Sequence, residues 1–246
     1  MDEMTRRDAL RRSGVLASAL GLPLADAQAA DTSLKVVVFG AHPDDPESGC
    51  GGLMALYADA GHEVVAMYLT RGEAGIDGTT HDEAARVRTA EAEAACGILG
   101  ARPVFVGQID GATELNAAWY ATVRALIEEE DPDLVLTQWP VDSHRDHRIA
   151  GLLVYDAWEA LDRRFSFYYY EVESGGQTQL FAPTHYVDIT SVEQRKREAN
   201  LAHASQNPVG GFYTLHERMH AFRGREVGVR HAEAFLRHSQ SAASLE

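Results

Sequence analysis

The sequence has few cysteines, few basic residues and no long apolar stretch after its first 30 residues. Cys50 and Cys96 are too few for a disulfide scaffold and neither lies in a CxxC pair, so a bridge between them and two free thiols both remain open. The formal net charge of −15 argues against a nucleic-acid partner and favours a neutral or cationic ligand. Stable membrane insertion is not expected, and a homo-oligomer stays open.

The first 30 residues have the composition of an export signal. The segment TRRDALRR carries paired arginines, and the apolar run SGVLASALGLPL that follows is shorter than the roughly 20 residues needed to span a bilayer. Small residues then offer cleavage sites after Ala27 or Ala29. The arginine pair resembles a twin-arginine (Tat) signal, and an ordinary basic tail is the alternative. We expect residues 1–30 to direct export to the periplasm or the cell exterior, and residues 31–246 to form one domain.

Short apolar runs alternate with longer helical segments along that domain. The segments Lys35–Gly40 and Glu63–Thr70 are apolar and rich in β-branched residues, as expected for strands buried on both faces. The alanine-rich segment Asp82–Leu99 predicts a helix, and Asp133–Trp139 predicts a further strand. This alternation predicts a single α/β domain with a Rossmann-like, mostly parallel sheet and helices on both faces.

Polar loops follow three of the predicted strands. The stretch AHPDDPE follows the first strand, RGEAGIDGTTH follows the second, and HRDH follows the fourth. Ligands of open α/β sheets bind outside the carboxyl ends of the strands, so these loops should converge on one crevice. Neither a GxGxxG turn nor a P-loop follows the first strand, which argues against a dinucleotide site or a P-loop nucleotide site there.

The residue types in these loops suit a metal ion. His42 and Asp45 are three residues apart in one turn, and His144 and His147 have the same spacing at a helix start. Two histidines and one carboxylate are a set that suits a catalytic zinc whose fourth position is left to water. A divalent cation would also relieve the repulsion between Asp44 and Asp45, leaving Asp44 as an ionised base.

These motifs resemble those of the LmbE-like (PIG-L) zinc-dependent N-deacetylases. The resemblance rests on AHPDDPE, on TRGE after the second strand and on HRDH after the fourth, and it continues in HASQ and FRGREVGVRHAEAF. It therefore spans essentially all of residues 31–246. One departure is Arg145, where many relatives carry proline, and it leaves the substrate preference open.

The resemblance implies a role for each motif residue. Zinc would be bound by His42, Asp45 and His147. Asp44 would be the general base that takes a proton from the zinc-bound water. His144 would be a cationic partner that stabilises the tetrahedral oxyanion or protonates the departing amine, with Asp146 orienting it and holding its charge. Arg71 would contact sugar hydroxyls or a phosphate of the substrate.

The sequence therefore predicts a zinc hydrolase that removes the acetyl group from an N-acetylated amino sugar or glycan of the N-acetylglucosamine type. Another divalent metal such as Fe²⁺ would suit the same ligands. Two alternatives stay open: an amidase acting on a larger acyl or peptide-like amide, and a metal-bearing saccharide-binding protein without turnover. Asp44 argues against a pure binder, which needs no base beside the water. Glu47 is either a partner of the site or an acid at a helix start.

Overall fold

The structure is a computed structural model that describes residues 33–207 and 211–241. The predicted export signal, residues 1–30, lies outside these residues. The described strands are β1 (Lys35–Gly40), β2 (Glu63–Thr70), β3 (Arg102–Gln108), β4 (Leu134–Gln138), β5 (Ser166–Tyr170), β6 (His185–Asp188) and β7 (Ala232–Arg237). The described helices are α1 (Asp45–Asp59), α2 (His81–Leu99), α3 (Ala117–Glu130), α4 (Arg145–Ala160), α5 (Glu193–Leu201) and α6 (Phe212–Val227), with a 3₁₀ turn at Ala204–Gln206.

The strands form one sheet with the order β3-β2-β1-β4-β5-β7-β6. Strands β1 to β5 pair in parallel, whereas β7 runs antiparallel to both β5 and β6. Helices α1, α2 and α5 pack on one face of the sheet, and α3 and α4 pack on the other. The predicted α/β domain with a mostly parallel sheet is confirmed.

The central strand β1 shows why its sequence is apolar without alternation. Val36 and Val38 face the core under α1 and α2, while Val37 and Phe39 face the core under α3 and α4. All four are fully buried, and each such side chain contributes about 1.5–3 kcal/mol by leaving water. Because both faces of β1 are buried, none of its positions suits a polar residue until the strand ends at the carboxyl edge of the sheet.

Strand β7 and the start of α1 differ from the sequence expectation. The sequence predicts helix near the C-terminus and no strand at β7, where the structure has a strand with a buried Glu233. Helix α1 begins at Asp45, whereas the apolar pattern predicts a start near Gly51. Glycines disfavour helix, but here they allow close packing: a Cβ on Gly49 would lie 2.3 Å from Cδ2 of Tyr170.

A buried ion pair ties β7 to the helices that surround the site. Lys196 of α5 and Glu233 of β7 form a salt bridge in which both side chains are fully buried. Nζ of Lys196 also lies 2.9 Å from Nε2 of His220 on α6. Glu233 accepts hydrogen bonds from the backbone N–H groups of Gly52 and Leu53 at 2.7 and 2.8 Å, so it also contacts α1.

The two cysteines are both free and both buried, which resolves the alternative left open by the sequence. Burial raises the pKa of each thiol, so neither is a ready nucleophile. Within residues 33–207 and 211–241, no helix has the length and apolar character needed to cross a membrane.

The close packing of α1 makes a stability prediction. In Gly52→Ala the new Cβ would lie 2.4 Å from Cγ2 of Ile189, and overpacking of this kind typically costs about 1–3 kcal/mol. We expect a lower free energy of unfolding, measured by urea denaturation of metal-free protein. The matched control is Gly97→Ala in α2, where a Cβ meets no atom within 4 Å and alanine should stabilise by about 0.5–1 kcal/mol. Equal stability of the two variants would contradict this account.

Candidate active site

The polar loops meet at the carboxyl edge of the parallel strands, as expected, and enclose a cleft of about 550 Å³. This volume lies within the range typical of small-molecule sites. Residues of the loops after β1, β2, β3, β4 and β5 line the cleft, together with residues of α1, α2, the start of α4, the 3₁₀ turn and α6. The cleft therefore draws on more of the chain than the three motifs identified in the sequence.

The turn after β1 has an unusual backbone. Asp44 has φ 107°, in the region that non-glycine residues rarely adopt, and it immediately precedes α1. The N–H of Asp44 donates to Oε2 of Glu47 at 3.2 Å, and the N–H of His42 donates to Oδ2 of Asp45 at 2.7 Å. Glu47 is fully buried and also accepts a hydrogen bond from the hydroxyl of Tyr68. Its interactions are those of a residue that supports the site.

Asp45 connects the two predicted histidine ligands. Its Oδ2 lies 3.2 Å from Nδ1 of His42, and its Oδ1 lies 3.3 Å from Nε2 of His147. The other ring nitrogen of His147 lies 3.2 Å from Oδ1 of Asp142, a carboxylate that can orient the ring. The structure thus brings together the side chains predicted to bind zinc, although they come from two distant loops.

The charges of this cluster fit a divalent cation. Burial opposes a charge on His147, but Asp45 and Asp142 outweigh it and raise the pKa of His147 to about 9. Burial likewise opposes the charged form of Asp45, yet His147 and His42 hold its pKa well below the usual value. The carboxylates therefore require positive charge beside them, which imidazolium rings supply when no metal is bound. Two imidazoles and a carboxylate are suitable zinc ligands.

Asp110 is a site residue that the sequence analysis missed. Its Oδ1 lies 3.1 Å from Nε2 of His42, and Oδ2 of Asp146 lies 3.3 Å from the same nitrogen. His42, Asp110 and Asp146 form one group that could hold a metal ion, and His42, His144 and His147 form another. The sequence does contain an indication of this role: the segment QIDG stands at the end of β3, which places Asp110 at the same edge of the sheet as the other polar loops.

The structure gives Asp146 different partners from those the resemblance implies. Its carboxylate accepts hydrogen bonds from the N–H of Gly111 at 2.8 Å and the hydroxyl of Thr113 at 2.6 Å, besides its contact with His42. The hydrogen bond between Asp146 and His144 involves the backbone N–H of Asp146, which donates to Nδ1 of His144 at 3.2 Å. Asp146 therefore anchors the loop after β3 and the His42 ring.

The surroundings of His144 favour its neutral ring, whereas the resemblance implies an imidazolium. Burial lowers the pKa of His144, and the neighbouring His42 and His147 lower it further. Since Nδ1 accepts the Asp146 N–H, the neutral ring carries its proton on Nε2. His144 lines the cleft and can offer that N–H as a hydrogen-bond donor.

The guanidinium group that reaches the cleft belongs to Arg88, not Arg71. Arg71 lines a neighbouring groove, where its guanidinium carbon lies 5.1 Å from the centre of the Phe105 ring. The predicted substrate contact of Arg71 is therefore not placed in the cleft. Arg88 instead contacts Oδ2 of Asp44 at 2.8 Å. Burial raises the pKa of Asp44, and the charge of Arg88 acts in the opposite direction.

Two further cleft residues come from segments that the sequence analysis did not assign to the site. His216 of α6 lines the cleft, and burial together with the Lys196 charge lowers its pKa to about 3. It is therefore a neutral imidazole at physiological pH. Glu173, in the loop after β5, adds a carboxylate to the lining.

Comparisons with known proteins agree with the motifs. Residues 37–158 match the family described as PIG-L, GlcNAc-PI de-N-acetylase. The diacetylchitobiose deacetylase of Thermococcus kodakarensis is 31% identical over 190 residues, which cover 71% of this chain and 70% of that protein.

Solved structures share the fold. The N,N'-diacetylchitobiose deacetylase of Pyrococcus horikoshii has a TM-score of 0.74 at 24% identity, with 84% of each chain covered. GalB, the 4-carboxy-2-hydroxymuconate hydratase of Pseudomonas putida, has a TM-score of 0.74 at 23% identity, covering 86% of this chain and 98% of that one. Because these two structures are named for different reactions, the fold alone does not select the chemistry. The family match and the 31% identical relative are more specific, and the chain belongs to the PIG-L family of de-N-acetylases.

Proposed function

We propose that this protein is a metal-dependent hydrolase that removes the acetyl group from an N-acetylated amino sugar of the N-acetylglucosamine type. The observation that carries the proposal is the arrangement around Asp45, which joins His42 and His147 while the adjacent Asp44 lines the cleft. The relationship to a diacetylchitobiose deacetylase supports the choice of substrate class.

Zinc is the metal that we propose, held by His42, Asp45 and His147. When bound, it supplies Lewis-acid chemistry, activating a water molecule and polarising the amide carbonyl. The buried carboxylate of Asp142 beside His147 supports this assignment, because a histidine that binds a metal through one ring nitrogen usually donates the N–H of the other to such a group.

The residues of the chain supply the remaining chemistry. Asp44 accepts the proton of the attacking water as general base, and the proton then passes to the departing amine. The Nε2–H group of His144 donates to the carbonyl oxygen as negative charge develops there, a role that suits a neutral ring held by a backbone hydrogen bond. Asp110 and Asp146 hold the His42 ring from the opposite side.

The proposed activity can be tested directly. We expect the protein comprising residues 31–246, loaded with zinc, to release acetate from N-acetylglucosamine oligomers, including diacetylchitobiose. A series of substrates with longer acyl chains distinguishes a deacetylase from an amidase of broader scope. Absence of turnover on every N-acetyl sugar, in protein shown to contain metal, would contradict the proposal.

The two adjacent aspartates should respond differently to substitution. Asp44→Asn should lower kcat by about 10²–10⁴-fold, the usual contribution of a general base, while metal content stays near that of the wild type. Asp45→Asn is the matched control and should lower metal content together with activity. Metal content is measured by elemental analysis, and kcat by acetate release. Loss of metal in Asp44→Asn would refute the division of roles between them.

The acidic lining of the cleft predicts discrimination against anionic substrates. Glu173 lines the cleft, whereas Asp110 is paired with His42 and the guanidinium of Arg88 is already engaged by Asp44. We expect kcat/KM for a phosphorylated N-acetylglucosamine to be at least about tenfold below that for the neutral sugar, since opposed like charges cost several kcal/mol. Glu173→Gln should narrow this gap without changing turnover of the neutral sugar. Equal kcat/KM for both substrates would contradict the prediction.

We also propose that the protein is exported, on the basis of the paired arginines and the short apolar run before residue 30. The substrate would then be an extracytoplasmic glycan, such as a chitin-like oligosaccharide, a wall fragment or an exopolysaccharide. In a bacterial host with a Tat pathway, we expect the full chain to appear outside the cytoplasm, and replacement of Arg6 and Arg7 by lysine to retain it inside. Equal distribution of the two forms would contradict export by this route.

A further inference from the structure

Helix α2 carries a buried arginine that the proposed chemistry does not yet use. The side chain of Arg88 is only 3% exposed, although it lies beside an open cleft. Its Nη2 donates to Oδ2 of Asp44 at 2.8 Å and also to the backbone carbonyl of Pro43. One guanidinium group therefore contacts two consecutive residues of the turn after β1.

Two glycines in the loop after β2 leave space for the side chain of Arg88. A Cβ on Gly72 would lie 3.1 Å from Nε of Arg88, and a Cβ on Gly75 would lie 2.6 Å from Nη1. Gly72 also has φ 69°, a conformation that glycine adopts without steric cost. These two glycines explain how an arginine on α2 reaches a turn that lies 44 residues earlier in the chain.

The turn that Arg88 contacts needs support. A non-glycine residue with a φ such as that of Asp44 costs on the order of 1–3 kcal/mol and persists only where its surroundings determine it. Glu47 accepts the N–H of Asp44, while Arg88 binds the preceding carbonyl and the carboxylate itself. The backbone and the side chain of Asp44 are thus both fixed.

The same helix holds a second wall of the cleft one turn later. Glu91 accepts hydrogen bonds from the N–H and the hydroxyl of Ser205, each at 2.7 Å. Gln206, which lines the cleft, donates to the carbonyl of Gly75 at 2.9 Å. Glu91 therefore offers a control position on α2 that is half-buried against a different loop, where it binds Ser205.

We propose that Arg88 is a positioning residue, which holds the Asp44 carboxylate in the orientation required of the base and acts on the reaction only through Asp44. This inference rests on the proposed function. It is carried by the contacts of Nη2 with the carbonyl of Pro43 and the carboxylate of Asp44, two consecutive residues of the turn.

A double-mutant comparison separates this role from direct binding of substrate. Arg88→Ala should lower kcat about 10- to 100-fold, the usual cost of misplacing a reacting group, with little change in KM and zinc content. Added to Asp44→Asn, it should cause no further loss, because the group through which it acts is already absent. If the double variant loses as much kcat as the two single losses multiplied together, the proposal fails. It also fails if Arg88→Ala raises KM and leaves kcat unchanged, because Arg88 would then act directly on the substrate.

Two further measurements guard against a purely structural effect. Guanidinium ion at millimolar concentration should restore part of the kcat of Arg88→Ala, whereas it should not affect Glu91→Gln. If Arg88→Ala does not fold, Arg88→Lys, which keeps the charge but loses the planar fork, is used in the same comparison. A wild-type protein without acetate release would instead refute the proposed function. In that case a crystal structure of the Arg88 variant still tests the proposal, which fails if the Asp44 turn is unchanged.

Discussion

The structure depends on keeping several carboxylates close together in a place largely shut off from water. Asp45, Asp110 and Asp146 all contact the ring of His42, and Asp142 contacts His147. Such a group of like charges is stable only beside positive charge. Without a metal, the imidazoles provide it and their pKa values rise. A divalent cation bound among these carboxylates would supply the same positive charge.

The rest of the fold holds these groups in place. Strands β1 to β5 end at one edge because they are parallel, and their loops supply most of the site. Helix α1, which begins at Asp45, is fixed to β7 through Glu233 and to the sheet through glycines that allow close contact. Helix α2 holds the turn after β1 and the loop near Ser205. The site is therefore built on elements that are tied to one another by buried contacts.

The features that could be predicted are those determined by residues close to one another in the sequence. Strands β1 and β2 were predicted with their observed bounds, because burial on both faces requires an uninterrupted apolar run. The juxtaposition of His42, Asp45 and His147 was predicted, because each motif places its polar residues just beyond a strand. Metal binding by these residues stays a prediction.

The features that were missed depend on partners distant in sequence. Asp110 has no distinctive neighbours, and Arg88 lies in an ordinary alanine-rich helix whose sequence does not show that its side chain passes under two glycines. Arg71 was preferred because it stands in a motif, but the direction of a side chain from a loop cannot be inferred from its position. Strand β7 was missed because the partner that makes Glu233 acceptable in a core is Lys196, 37 residues away.

The backbone conformation of Asp44 has a consequence for how this position can vary. Asparagine and glycine tolerate positive φ far better than β-branched residues do, so they can replace the aspartate without distorting the turn. A valine or threonine there would instead disturb the turn and, through it, the position of the adjacent Asp45. Position 44 thus has two separate requirements: a residue that tolerates a positive φ, and a side chain that ends in a negative charge. A variant that meets only the first requirement would keep the native turn and lose the charge that faces Arg88.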